Sequence, residues 1–161
     1  DYWTRNDMSS CLTTQTPIGL IGIYGSKESI TNIAWTKRHS NSHLPELRRA
    51  RAQIAAYFAS RLFQFDLLLE PSGTVFQRKV WEHILSIPYG KTLHYGDVAR
   101  ALNTSPRAVG GACARNPIPL LIPCHRVVGK SGALTGYSGG GGLGTKQALL
   151  SLEQPVAART S

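Results

Sequence analysis

Cysteine is scarce in this chain, and what there is does not pair. Three cysteines among 161 residues, Cys11, Cys113 and Cys124, make an odd count with no C-x-x-C arrangement. A chain of this length buries enough core to fold without staples, so neither a disulfide framework nor a structural zinc is expected. The five histidines are scattered, with no dense cysteine and histidine cluster, and no metal site or cofactor is expected. No apolar run approaches the roughly 20 residues that cross a bilayer, and the opening DYWTRNDM lacks the basic-then-apolar order of a secretory signal. A cytoplasmic (nucleoid-associated) or nuclear protein with no membrane partner is the expectation. Residues 1–7, ahead of the only methionine, Met8, read as an expression remnant outside the fold.

Acidic residues are also few, nine against 18 Lys and Arg, which leaves a formal net charge of +9. The excess is uneven: residues 1–73 hold eight basic and six acidic side chains, whereas residues from Thr74 onward hold ten and three. A basic second half points to a polyanionic partner, against the alternative of a surface charged only for solubility.

The apolar pattern predicts an α+β fold in two parts. In PIGLIGIYGSKESITNIAWT, two apolar runs flank a Gly-Ser-Lys-Glu-Ser turn, which predicts a hairpin over 17–36. Apolar residues at 47, 50, 54, 57, 58 and 62 predict an amphipathic helix, and the alternation of Phe63, Phe65, Leu67 and Leu69 predicts a strand beneath it. Residues 8–70 thus form an N-terminal α/β domain, and Pro71-Ser-Gly73 a linker. Residues 74–155 form a mainly helical C-terminal domain, and 156–161 a tail.

In the second part, Thr74-Val-Phe-Gln77 has the form of a capping box opening a helix to about Ser86. LHYGDVARAL predicts another helix after the Pro88-Tyr-Gly90 turn. Ser105-Pro106 then supplies an N-cap and a first-turn proline for a third. The last two flank a tight turn and have the pattern of a helix-turn-helix, a pattern shared by many proteins that never touch DNA. Gly110 and Gly111 inside the second of these each cost roughly 1 kcal/mol relative to alanine, so a close approach by another surface is expected there. Pro117, Pro119 and Pro123 are expected to hold the chain extended up to Cys124. A glycine-rich stretch from Gly136 to Gly144 precedes a last helix, TKQALLSLE, and no internal repeat is visible.

A cysteine flanked by Pro123 and His125 could be a nucleophile, a metal ligand or a buried apolar residue. The longer string decides. Pro123-Cys-His-Arg-Val127, preceded by Asn116-Pro-Ile-Pro119 and followed by Gly136-Tyr-Ser-Gly-Gly140, resembles the active-site region of O6-alkylguanine-DNA alkyltransferases. The likeness runs from about Phe76 to Glu153 and takes in Tyr95, Arg107-Ala-Val-Gly-Gly111 and the terminal helix.

The resemblance implies a ribonuclease-H-like sheet and helix followed by a winged helix-turn-helix. It implies direct repair of double-stranded DNA containing O6-alkylguanine by a monomer acting once per molecule; O4 of thymine and cooperation along DNA stay open. Cys124 takes the alkyl group. His125 reaches it through a water and is oriented by Glu153, and Asn116 braces the segment. Tyr95 helps swing the nucleotide out and protonates N3 of the base, while Arg107 fills the vacated stack. Ser105, Ala108, Gly110, Gly111 and Arg115 are the other expected DNA contacts. Pro119, Val127, Tyr137 and Ser138 line the guanine pocket, with the Cys124 and Val127 carbonyls reading the exocyclic amine. Two features depart from the family pattern: four glycines at 139–142 where two are usual, and Cys113, which reads as a packing residue, with a thiol metal site as the remote alternative. A repair-inactive relative, a Cys-His hydrolase and a plain helix-turn-helix regulator are the competing readings.

Overall fold

The computed structural model describes residues 10–130 and 141–154. The expectations for residues 1–7, for Tyr137 and Ser138, for Gly139 and Gly140, and for the tail lie outside the described residues.

The described residues begin with three antiparallel strands in the order β1 (Cys11–Thr16), β2 (Gly19–Gly25) and β3 (Ile30–Trp35). β2 and β3 form the expected hairpin. β1 is a strand the hydropathy pattern leaves unassigned, because only Cys11 and Leu12 in CLTTQT are apolar. The helix α1 (Pro45–Phe58) lies across the sheet and buries Leu47, Ala50, Ile54 and Tyr57. It stops four residues short of the expected Leu62 because Ser60 turns left-handed at φ 57°. The Ser60 and Arg61 N–H groups then close back on the Tyr57 and Ala56 carbonyls at 3.0 and 2.9 Å, a paired capping arrangement that ends a helix.

The strand expected over 62–70 does not form. Only Leu69 bridges to the sheet, at Ile30. The Gln53 carboxamide takes the place of a neighbouring strand: it donates to the Asp66 carbonyl at 3.1 Å and accepts the Asp66 N–H at 2.9 Å. A side chain that satisfies the backbone removes the need for a ladder partner, so the segment keeps its alternation, with Phe65, Leu67 and Leu69 half-buried, but not its sheet.

Four further helices follow, α2 (Val75–Leu85), α3 (Tyr95–Leu102), α4 (Pro106–Ala114) and α5 (Leu143–Leu152). The two-residue strands β4 (Leu93–His94) and β5 (Val127–Val128) pair in parallel. The Thr74–Gln77 capping box closes in both directions at 3.0 and 2.9 Å. Ser105 caps α4 through the Ala108 N–H at 3.1 Å. Between α3 and α4, Asn103 adopts φ 56°, a left-handed position that asparagine tolerates.

One apolar cluster runs from Leu12 and Ile23 in the sheet through Trp81 and Val109 to Leu149 in α5. Each large side chain fully buried in it contributes about 1.5–3 kcal/mol. The sheet also reaches the loop after α4 directly, since the Ile33 N–H donates to the Pro117 carbonyl at 2.9 Å.

Candidate active site

Asn116 organises the loop that carries Cys124. Its carboxamide oxygen accepts the Ile118 N–H at 2.9 Å, and its nitrogen donates to the Ile122 carbonyl at 3.0 Å and to Cys124 Sγ at 3.2 Å. The loop is therefore folded back rather than extended as the prolines suggest. Leu120 sits at φ 76°, and the Ile122 N–H reaches the Ile118 carbonyl at 2.9 Å. Proline fixes only its own φ and biases the residue before it, so the unrestricted Leu120 and Leu121 make the turn. Pro123, at φ −81° and ψ 62°, centres a tight turn in which the Cys124 N–H reaches the Ile122 carbonyl at 2.8 Å. Cys124–Arg126 is then a single 3-10 turn rather than strand.

That turn aims His125 and Arg126 at one carboxylate. Glu153 Oε2 accepts from His125 Nε2 at 2.7 Å, Tyr57 Oη at 2.5 Å and Arg126 Nη2 at 3.1 Å. Glu153 Oε1 accepts from Arg126 Nε at 2.8 Å and the Gly90 N–H at 3.3 Å. Gly90 holds φ 80°, and a Cβ there would stand 3.1 Å from the Glu153 carbonyl, so the Pro88-Tyr-Gly90 turn needs its glycine. Burial works to raise the Glu153 pKa, but the hydrogen bonds from His125 and Arg126 win and hold it at about 2. Burial pulls His125 below the ordinary imidazole range, although Glu153 opposes this. His125 is thus neutral at neutral pH, with its proton on Nε2 toward the carboxylate. Its Nδ1 is buried without a hydrogen-bond partner among the described residues, and it carries the lone pair.

Cys124 is 4% exposed. Contact with the Cys113 thiol and burial push its pKa well above the ordinary thiol range, while Asn116 and Lys146 pull it down. Cys113 is buried in the core, as expected of a packing residue, but it also faces Cys124.

Lys146, Arg126 and Tyr57 escape a reading of the sequence. Lys146 is fully buried; its Nζ donates to the Val127 carbonyl at 2.6 Å and to Tyr95 Oη at 3.3 Å, and lies 5.5 Å from the Tyr95 ring centre. A signal was available. Lys146, Leu149 and Glu153 follow helical spacing, so a lysine on the apolar face of α5 announces a buried cation. Arg126 is likewise a charged residue in an apolar string. For Tyr57 there is no local signal, because its partner lies 96 residues away.

The pairing of β4 with β5 sets Leu93 beside Val127 and His94 beside Val128, and Tyr95 opens α3 immediately after. The Val127 carbonyl already accepts from Lys146, and the Cys124 carbonyl accepts the Val127 N–H; each has a second lone pair. Pro119 is half-buried at the mouth of the Asn116 loop. On α4, Val109, Ala112 and Cys113 face inward, while Arg107, Gly111 and Ala114 are exposed. Ser105 and Arg115 stand exposed at its two ends, with Ala108 half-buried. A Cβ on Gly110 would meet only Tyr95 at 4.0 Å and one on Gly111 nothing within that range, so packing within the protein requires neither glycine.

His39 and His43 are four residues apart, but they lie in the connection between β3 and α1 rather than on a helix. No group of three or more metal-ligating side chains occurs among the described residues, and no helix there is long and apolar enough to cross a membrane.

Residues 75–155 match the family model described as 6-O-methylguanine DNA methyltransferase, DNA binding domain. A methylated-DNA–protein-cysteine methyltransferase of Mycolicibacterium paratuberculosis is 44% identical over 151 residues, covering 88% of this chain and 90% of that protein. One from Methanosarcina acetivorans is 41% identical, with 86% and 94% covered. The crystal structure of Mycobacterium tuberculosis OGT in complex with DNA superposes with a TM-score of 0.80 at 41% identity, over 92% of this chain and 97% of that one. With the family model across the Cys124 region and relatives of this identity across most of both chains, the chain belongs to the methylated-DNA–protein-cysteine methyltransferases, a family of DNA-binding enzymes.

Proposed function

We propose that this protein repairs duplex DNA by irreversible, stoichiometric transfer of a methyl or larger alkyl group from O6 of guanine to Cys124, with O4 of thymine as a second acceptable position. The observation that carries the reading is the hydrogen bond from His125 Nε2 to Glu153 next to Cys124 in the chain, which leaves Nδ1, buried and without a hydrogen-bond partner among the described residues, to take a proton. Cys124 is protonated at rest. An ionised Glu153 fixes the His125 tautomer and stabilises the imidazolium, so Nδ1 draws the thiol proton through a water. The thiolate attacks the alkyl carbon, the C–O bond breaks, and the base departs with a negative charge that a proton from the Tyr95 hydroxyl neutralises at N3. Tyr95 Oη accepts from Lys146, which turns its own hydrogen away from the ammonium and offsets the charge left on the phenol oxygen. A thioether has no hydrolytic way back here, so each molecule acts once.

The alkyl carbon lies inside the stack, so the nucleotide must be swung out at a cost of a few kcal/mol. We read α3 and α4 as a winged helix-turn-helix whose second helix enters the minor groove. Arg107 occupies the vacated place, Gly110 and Gly111 permit close approach, and Ser105, Ala108 and Arg115 contact the backbone. Residues 74–155 carry this chemistry in a monomer. Residues 8–70, joined through the 71–73 linker, support it through Tyr57 and Ile33. Pro119, Tyr137 and Ser138 border the base, and the second lone pairs of the Cys124 and Val127 carbonyls read its exocyclic amine.

Intact mass after incubation with duplex carrying O6-methylguanine tests this. The wild-type protein gains one methylene, and Cys124→Ala gains nothing while still binding DNA. An unchanged wild-type mass defeats the reading, and it would favour a hydrolase or a plain regulator.

A further inference from the structure

The transfer chemistry uses one thiol, yet the fold buries two in contact. Cys113, in the last turn of α4, is 3% exposed, and its thiol meets that of Cys124. Asn116 ties the two positions together: its N–H donates to the Cys113 carbonyl at 3.2 Å and its carboxamide to Cys124 Sγ at 3.2 Å. The third cysteine, Cys11, is in β1 and contacts Tyr24 instead.

Two thiols in contact titrate as a pair. The first proton leaves more readily because the remaining S–H donates to the sulfur anion, and the second leaves with difficulty. The Lys146 ammonium acts on both sulfurs and favours the singly charged pair. A thiolate held against a second thiol is the arrangement in which an oxidised sulfur is captured as a disulfide before it oxidises further.

We propose that Cys113 is a resolving cysteine for Cys124, so that a peroxide closes a Cys113–Cys124 disulfide that silences transfer reversibly instead of destroying the acceptor. Cys113 is the sulfur of the pair whose pKa falls and Cys124 the one whose pKa rises, so in the first step the Cys124 proton passes to the Cys113 sulfur as the Cys124 sulfur attacks one peroxide oxygen and the O–O bond breaks. The sulfur becomes a sulfenic acid, and the departing hydroxide takes a proton to become water. Cys113 sulfur then attacks the sulfenic sulfur, forming the S–S bond and breaking S–O, and the second oxygen leaves as water with the Cys113 proton. Two electrons pass from the two sulfurs to the peroxide. A small dithiol returns them. The silencing rests on the transfer reading above, but formation of the disulfide does not.

The test uses the full reduced chain and hydrogen peroxide, followed by an alkylating quench, intact mass, peptide mapping and the transfer assay. The wild-type protein is expected to lose two hydrogens, to map a Cys113–Cys124 link, to stop accepting methyl groups, and to regain both its mass and its rate with dithiothreitol. Cys113→Ser and Cys113→Ala are expected instead to gain two or three oxygens at Cys124, and dithiothreitol does not restore their transfer. Each is compared with its own reduced form, and Cys11→Ser behaves as the wild type. Wild-type protein that gains oxygens at Cys124 without the linked species overturns the proposal, as does a Cys113 variant that recovers as fully as wild type. If reduced protein never accepts a methyl group, the transfer reading has failed, and the mass readout still decides the disulfide.

Discussion

Glu153 and Cys124 both adjoin His125, one through a hydrogen bond and the other along the chain, in surroundings that differ sharply. The Glu153 oxygens accept five hydrogen bonds, from His125, Tyr57, Arg126 twice and Gly90. Its charge is fixed far from neutral pH. Cys124 Sγ has one amide donor, a neighbouring thiol and the field of a buried ammonium, and these act in opposite directions. One side is pre-organised and stays as it is through a reaction, whereas the other holds a proton that can leave. Electrostatic stabilisation costs nothing at the moment of reaction only if its groups are already placed, and the saturated side provides that.

Breaking the saturated side should have the largest effect. Glu153→Gln leaves the Arg126 guanidinium buried without its counter-charge, which costs about 3–5 kcal/mol and consumes much of an ordinary domain's stability. Transfer should fall by on the order of 10²–10⁴, the range for losing a positioned acid–base group, as read in single-turnover rates. Urea unfolding checks the stability. Folded Glu153 holds its pKa at about 2 against 4.5 ordinarily, so the unfolded chain binds the proton first and stability falls as pH drops through that interval. The variant should lose this acid-sensitive component, and an unchanged acid profile would refute the hub.

The proposed DNA-facing side can be separated from the chemistry by Arg107→Ala. Duplex repair should slow by roughly tenfold to a hundredfold, since swinging out a base costs a few kcal/mol. Reaction with free O6-alkylguanine base should stay near normal. Equal losses on both substrates would show that Arg107 acts on the reacting atoms and not on the stack.

The poised side is sharpened by Lys146→Met. Removing the ammonium should slow transfer by about tenfold, equivalent to about 1.4 kcal/mol. Because Lys146 pulls the Cys124 pKa down, the pH–rate profile should also move to higher pH. A slower rate with an unmoved profile would reduce Lys146 to a prop for Tyr95 and Val127.

The same contrast explains how much of the molecule is legible in its sequence. Caps and periodic helices are written locally, so Thr74, Gln77 and Ser105 could be placed by residue type alone. The strand at 62–70 failed because alternation records which side chains face inward, not whether a backbone partner exists, and Gln53 supplied that partner from 13 residues away. In the candidate site, residues inside the Asn116–Val127 string could be named because the string is contiguous. Tyr57 could not, since its hydroxyl meets Glu153 only after the sheet and α1 dock against α5. Cys113 carries only a packing signal in the sequence, because its contact with Cys124 depends on the loop folding back at Leu120.

The smallest effect discriminates best between stability and function. A Cβ on Gly111 would meet nothing within 4 Å, and its φ is not in the left-handed region. Gly111→Ala should therefore stabilise α4 by about 0.5–1 kcal/mol through helix propensity. If the exposed face of α4 approaches the minor groove, the added methyl group should weaken duplex binding and slow repair of DNA while leaving reaction with free base untouched. Stabilisation with undiminished duplex repair would mean that Gly111 serves neither packing nor DNA contact, and would put the close approach at Gly110 alone. Thermal unfolding and duplex-binding titrations on the one variant settle both halves.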